Sequence, residues 1–242
     1  MSVLIISDLH LGDKRNSLAH EEKLLDDLAK FIRAKQFQAV LNLGDTVSRK
    51  EFLRDGTEML AEFAKYRKWR DALKIPFREC SIYRERPFFE SVFEQKADSV
   101  WNGIPGLSIF TLSPNDKNDH EFSPKQWSWF RKALAMADGK TVLIGSHVPY
   151  PGSCTRPIAP GIYLEIPEDI QRLLEKHSRP VFWVGGHFHW NDDPPLVRGN
   201  LTALIGARFA FEGEYERTTY VRELRLEDSS IRTITDLTEG QQ

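Results

Sequence analysis

The sequence predicts an α/β protein: two packed mixed β-sheets flanked by helices, a four-layer sandwich within a single domain. Three observations carry this expectation. Five short runs, Val3 to Ile6, Ala39 to Leu43, Leu107 to Leu112, Thr141 to Ile144 and Val181 to Val184, are nearly all apolar, as strands covered on both faces are. Segments of helical period separate most of them. Beyond residue 200 the pattern gives way to strands joined by turns, which a second sheet and a closing edge accommodate.

The first strand stops where Asp8 and His10 begin a polar stretch. Leu18, Leu24, Leu25, Leu28, Phe31 and Ile32 fall at helical spacing opposite Glu21, Glu22, Lys23, Asp26 and Asp27, and Ser17 is placed to cap that helix. The second strand ends at Gly44-Asp45. A charged helix is expected from about Arg49 to Lys74, with Phe52, Leu53, Met59, Leu60 and Phe63 as its apolar stripe and Pro76 closing it. Residues 77–102 give no clear period. After the third strand, Ser123-Pro124 opens a helix with proline at its first position and Trp127, Phe130 and Leu134 inward. Pro149 to Pro167 holds five prolines and is too long for a connector, which marks it as a lid or specificity loop. A helix around Glu168 to His177 leads to Val181–Val184 and then Gly185-Gly186-His187-Phe188-His189. Leu201–Ile205, Thr219–Leu226 and Ile231–Ile234 read as meandering antiparallel strands, and 239–242 as a frayed tail after a domain of residues 1–238.

With 242 residues the chain can bury a sizeable core without staples. Its 33 basic and 35 acidic residues give a net charge of −2, which disfavours nucleic acid as a partner. Cys80 and Cys154 match no zinc spacing and make no disulfide framework. There is no leader-like amino terminus and no apolar run near the ~20 residues that span a bilayer. A soluble cytoplasmic protein is the expectation.

Four polar clusters each follow a buried strand: Asp8 with His10, Asp45, His147, and His187 with His189. Carboxylate and imidazole together suit divalent metals, and open α/β sheets carry their chemistry at the carboxyl ends of strands. Six such ligands exceed what one tetrahedral zinc uses and suit two ions. The glycines before Asp45 and His187 would let backbone come close. His20, His120 and His177, in charged helices or a polar loop, read as solvated surface.

In this order Asp8-Leu9-His10, Gly44-Asp45, Ser146-His147 and Gly186-His187-Phe188-His189 resemble the calcineurin-like metallophosphoesterases over nearly the whole chain. The resemblance implies a two-sheet sandwich that hydrolyses phosphate mono- or diesters with two divalent metal ions (Mn, Fe or Zn), by attack of a metal-bound water. By position, Asp8, His10 and His189 would hold the first ion, Asp45 would bridge, and His147 and His187 would hold the second. Two departures stand out. The family's second motif ends in Asp or Asn where this chain has Ser48. The third motif, Gly-Asn-His-Asp/Glu, is missing: Ile82, Tyr83 and Arg84 stand about where its Gly, Asn and His belong. The second ion, without its Asn, is expected to bind more weakly; should the register of Tyr83 and Arg84 be wrong, Ser48, Glu79 and Ser81 are the candidate replacements. Arg84 is expected to meet the substrate phosphate as a charged fork, and Arg156, on the proline-rich loop, to bind substrate as well. Trp190 could stack a base or sugar.

Two functions of different class follow. The favoured one is a metal-dependent phosphoesterase acting on a small or lipid-linked phosphoester. The alternative is a catalytically weak or inactive scaffold of the same fold that binds a protein partner. The degenerate third motif favours the scaffold, and the six retained ligands favour the enzyme.

Overall fold

A computed structural model of the chain describes residues 1–56, 58–82, 85–114, 121–154, 164–189, 194–214 and 219–237. Its strands form two sheets. The first has five strands: β1 (Ser2–Ile6), β2 (Ala39–Asn42), β3 (Phe77–Glu79), β10 (Val221–Arg225) and β11 (Ser230–Ile234), in the order β11-β10-β1-β2-β3. The second has six: β4 (Ser99–Trp101), β5 (Leu107–Leu112), β6 (Thr141–Ser146), β7 (Val181–Gly185), β8 (Leu196–Arg198) and β9 (Leu201–Ile205), in the order β4-β5-β6-β7-β9-β8. Strands β1, β2 and β3 run parallel to one another, as do β5, β6, β7 and β9. β10 pairs antiparallel with β1, and the edge strands β11, β4 and β8 pair antiparallel with their neighbours, so both sheets are mixed, as the sequence predicts.

Alternation along the strands assigns each residue to a layer. Val3, Ile5, Ala39 and Leu41 turn inward and meet Ile109, Leu143, Phe182 and Val184 of the other sheet. Leu4, Ile6 and Val40 turn outward against α1 (Leu18–Lys35) and α2 (Met59–Ala72). On the opposite side Phe110, Val142, Ile144 and Trp183 are covered by α4 (Pro124–Met136) and α5 (Glu168–Glu175). The sheets meet so closely at Gly145 that a Cβ there would lie 3.0 Å from both the Cys80 sulfur and Leu41.

The helix ends obey local rules. Ser17 caps α1 by accepting from His20 N at 3.2 Å. Ser123 and Gln126 form a capping box on α4, with Pro124 in its first turn and Trp127, Phe130 and Leu134 buried.

Several expectations are corrected. The helix expected from Arg49 begins only at Met59, after a 3-10 turn at Lys50–Phe52. Residues 52–54 instead lock onto the loop after β1: Arg54 forks onto Glu21 and reaches the Asp13 and Asn16 carbonyls, and Arg54 N donates to Gly12 O. These tertiary bonds outweigh helix propensity there. Phe52 and Leu60, assigned to the apolar stripe, are exposed, and so is Leu18 of α1. The last strands are no single meander: β9 lies parallel to β7 in one sheet, whereas β10 and β11 edge the other. The unpatterned stretch holds β3, α3 (Arg86–Phe93) and β4. His177, expected at the surface, is buried, because its ring nitrogen folds back to cap the Arg179 backbone. Among the described residues, no helix is long and apolar enough to cross a membrane.

Candidate metal centre

Six chemistry-bearing side chains converge where β1, β2, β6 and β7 end. They fall into two groups of three, Asp8, His10 and His189, and Asp45, His147 and His187, each with its ligand atoms within 4.8 Å of one another. The loops that carry them are extensions of the sheet. Asp8 N donates to Gly44 O, His10 N to Asp45 O and Leu11 N to Thr46 O, each at 3.0 Å, so the loop after β1 runs beside the loop after β2. Gly186 N donates to His147 O at 2.8 Å and ties the other pair of loops.

Backbone conformation aims these side chains. Asp8, His10, Asp45, His187 and His189 all have positive φ, between 47° and 71°. Left-handed backbone is uncommon for residues with a Cβ and costs of order 1–3 kcal/mol per site, so its concentration here marks a site held against its local preference. Gly186 has a different reason to be glycine. A Cβ on it would stand 2.2 Å from Ser7 Oγ and 2.8 Å from Asp8 Oδ2. Its missing side chain gives room to the Asp8 carboxylate itself.

Asp8 is wholly buried. Ser7 Oγ donates to it at 2.5 Å and His187 N at 3.2 Å, while His189 Nε2 lies 3.1 Å away. Burial pushes this carboxyl up, yet His189 and His147 more than offset it and hold it down at about 2. Burial pushes the His10 imidazole down, and burial together with His147 lowers His187 to about 4. Both rings are neutral near pH 7 and able to ligate. His147 shows how a ring is oriented: its Nδ1 lies 3.1 Å from the Leu43 carbonyl and so carries the proton, which leaves the Nε2 lone pair facing Asp45 Oδ2 at 3.3 Å.

These donors fit divalent ions. His10 Nε2 and His189 Nε2 face each other at 3.1 Å, and Asp8 Oδ1 stands 3.1 and 3.9 Å from His189 and His10. Bonds of about 2.1 Å to one small cation place neighbouring ligands ~3–3.5 Å apart. Among the described residues no lysine or arginine pairs with Asp8.

The sequence missed the supports beneath this centre. Asn42, at the end of β2, accepts from Gly44 N and donates toward Thr46 Oγ1, Tyr66 OH and Glu79 Oε2, so it props the turn that carries Asp45. Burial raises the Glu79 carboxyl. Ser48, where the family pattern has an acid or amide, donates to buried Asp13 at 2.5 Å. The carboxylate absent from the second loop is thus supplied by the first. Asp13 also takes Arg15 Nε and Nη2, each at 2.9 Å. Burial raises the Asp13 carboxyl, but the bonds from Arg15 and Ser48 outweigh it and hold the group at about 2. Its contribution to stability is therefore complete above the unfolded value near pH 4 and is lost as pH falls toward 2. Asp13→Ala is expected to cost about 2–3 kcal/mol of unfolding free energy in denaturant titrations, because it strands a buried hydroxyl and a guanidinium.

Of the three candidate replacements for the missing Asn, Ser48 is held by Asp13 and Glu79 by Asn42 and Tyr66. Ser81 Oγ is buried and meets no partner among the described residues. Tyr83, Arg84, His120, Arg156, Trp190 and the tail 239–242 lie outside the described residues. Pro149, which opens the proline-rich loop, backs onto Gly185, where a Cβ would meet the Pro149 Cα at 2.5 Å.

Comparison with known proteins agrees with this architecture. A dimetal phosphatase from Danio rerio superposes with a TM-score of 0.72 at 16% identity, covering 97% of this chain and 98% of that one. The sulfate thiohydrolase SoxB of Thermus thermophilus gives 0.55 at 14% identity, over 96% of this chain and 55% of that one. A putative 5′-nucleotidase from Staphylococcus aureus gives 0.51 at 10% identity, over 97% and 52%. At such identities the likeness is one of fold. No curated protein matches the sequence. The sequence profile of the calcineurin-like phosphoesterases, however, matches residues 1–191, a fold that implies divalent metal ions. By that match and by its two-sheet architecture, the chain belongs to the calcineurin-like phosphoesterase family.

Proposed function

We propose that the protein is a metal-dependent phosphoesterase that hydrolyses a phosphate mono- or diester. The observation that carries this reading is the pair of three-donor groups, built on four strand ends with imidazoles around the buried Asp8 and Asp45 carboxylates. Asp8, His10 and His189 would hold one ion and His147 and His187 the other, with Asp45 between them. Ions so held polarise a phosphoryl oxygen and make hydroxide available at neutral pH.

The chain's own residues orient and shield. The Leu43 carbonyl fixes the tautomer of His147, and Ser7 with the His187 amide fixes the Asp8 carboxylate. Arg84 would add charge at the phosphate, a role that rests on the family resemblance, with Arg156 as a second contact because its loop follows His147. An arginine at the place of the family's His cannot serve as the acid, its pKa exceeding 12, so esters with acidic leaving groups should be preferred.

The test is hydrolysis of bis(p-nitrophenyl) phosphate and p-nitrophenyl phosphate by manganese-loaded protein. Release of nitrophenolate above a metal-free control is expected. Silence with both esters and with zinc or iron in place of manganese would favour the protein-binding scaffold.

A further inference from the structure

Beside the first three-donor group stands a cation that the site as described does not use. The Arg15 guanidinium lies over the Phe211 ring, 3.5 Å from its centroid. Phe211 in turn packs on the ligand rings, 5.3 Å from His10 and 6.4 Å from His189 between centroids. One aromatic ring therefore separates the arginine from the candidate ligands.

The arrangement is built from both sides. Asp13, itself buried, takes the Arg15 backbone N, Nε and Nη2, all at 2.9 Å, which fixes the plane of the fork. The residues next to Arg15 hold the residue next to Phe211: Ser17 N donates to Glu212 Oε2 at 2.7 Å, and Glu212 N donates to Asn16 Oδ1 at 2.9 Å. Glu214, the other acid nearby, bonds to Arg208 and to Phe211 N. With two of its nitrogens on Asp13, the fork meets no acceptor at Nη1 among the described residues, and the side chain is half exposed. A freely rotating exposed arginine loses rotamer entropy when it binds; this one is already held by Asp13 and Phe211. A half-exposed guanidinium held in place one ring away from the candidate ligands is suited to a phosphate.

We propose that Arg15 is a substrate-binding residue that recognises a second phosphate group, adjacent to the one held at the metal centre, so that the preferred ligands carry two phosphates. This rests on the phosphoesterase reading of the centre, and it adds a selectivity that the six ligands do not supply.

The experiment measures binding of AMP and ADP to the manganese-loaded protein by calorimetry, with manganese in excess over nucleotide, for wild type, Arg15→Gln and Arg15→Lys. Wild type is expected to bind ADP more tightly than AMP. Arg15→Gln should reduce that ratio about tenfold, the scale of one charge-assisted hydrogen bond. Arg15→Lys, which keeps the charge without the fork, should fall between. Manganese stoichiometry should stay at the wild-type value in both variants. An equal affinity of wild type for the two nucleotides overturns the inference, as does an ADP-to-AMP ratio that survives in either variant that folds. The two readings fail separately. Ester hydrolysis without ADP preference removes the role of Arg15 alone, whereas an Arg15-dependent preference in a protein that cleaves no ester removes the enzymatic reading alone.

Discussion

Asp45→Ala is expected to abolish manganese-dependent hydrolysis of an aryl phosphodiester. Asp45 is the carboxylate of the group it forms with His147 and His187, and its backbone carbonyl receives His10 N, so it touches both halves of the centre. Loss of a residue that merely supports a ligand typically costs a metal site about 10–100-fold. Removing a carboxylate that would lie between two ions should cost more than that in turnover. The fold should survive, because the Asn42 prop beneath this turn remains, although alanine suits the left-handed backbone at 45 no better than aspartate does. Turnover in the variant within tenfold of wild type would assign the activity to other residues or to a contaminant.

The second large effect is expected from a single methyl group. Gly186→Ala places a Cβ 2.2 Å from Ser7 Oγ and 2.8 Å from Asp8 Oδ2, and both neighbours are fully buried. Overpacking of this kind costs roughly 1–3 kcal/mol. Here the strain falls on the Ser7 hydroxyl and on the Asp8 carboxylate that it bonds, so the carboxylate shifts with it. Loss of the ion at the first group should therefore accompany the loss of stability. Ser7→Ala in the same chain removes the nearer clash and should recover part of the stability, a coupling readable from a double-mutant cycle. Wild-type manganese affinity in Gly186→Ala would show that Asp8 takes no part in holding an ion.

The cluster of six candidate ligands was legible because each member follows an apolar strand, and the ends of strands from the two packed sheets meet in space. Val3–Ile6, Ala39–Asn42, Thr141–Ser146 and Val181–Gly185 are such strands, and β1–β2 and β6–β7 are adjacent pairs. The supports were not legible, since they depend on contacts distant in sequence. Nothing local to Ser48 announces Asp13, 35 positions away, and nothing in Phe211 announces Arg15. The left-handed backbone at five of the six ligands leaves no compositional trace, because those residues are chosen for chemistry rather than for φ. The late start of α2 shows the converse: Arg49 to Gly56 has helical composition, but Arg54 finds stronger partners on Glu21 and the loop after β1. The last strands were recognised as strands but placed in one meander, because period alone does not say which sheet a strand joins.

The central claim is that the six residues hold two divalent ions. Its most direct measurement is a manganese titration of metal-free protein, followed by calorimetry or by electron paramagnetic resonance. The account predicts about two ions per chain with unequal affinities. The weaker belongs to the Asp45, His147 and His187 group, which lacks the family's Asn, and is the first to be lost to dilute chelator. Asp8→Ala should abolish the tighter binding. Two equal tight sites would contradict the asymmetry, and no binding above background, or a full wild-type stoichiometry in Asp8→Ala, would contradict the claim itself.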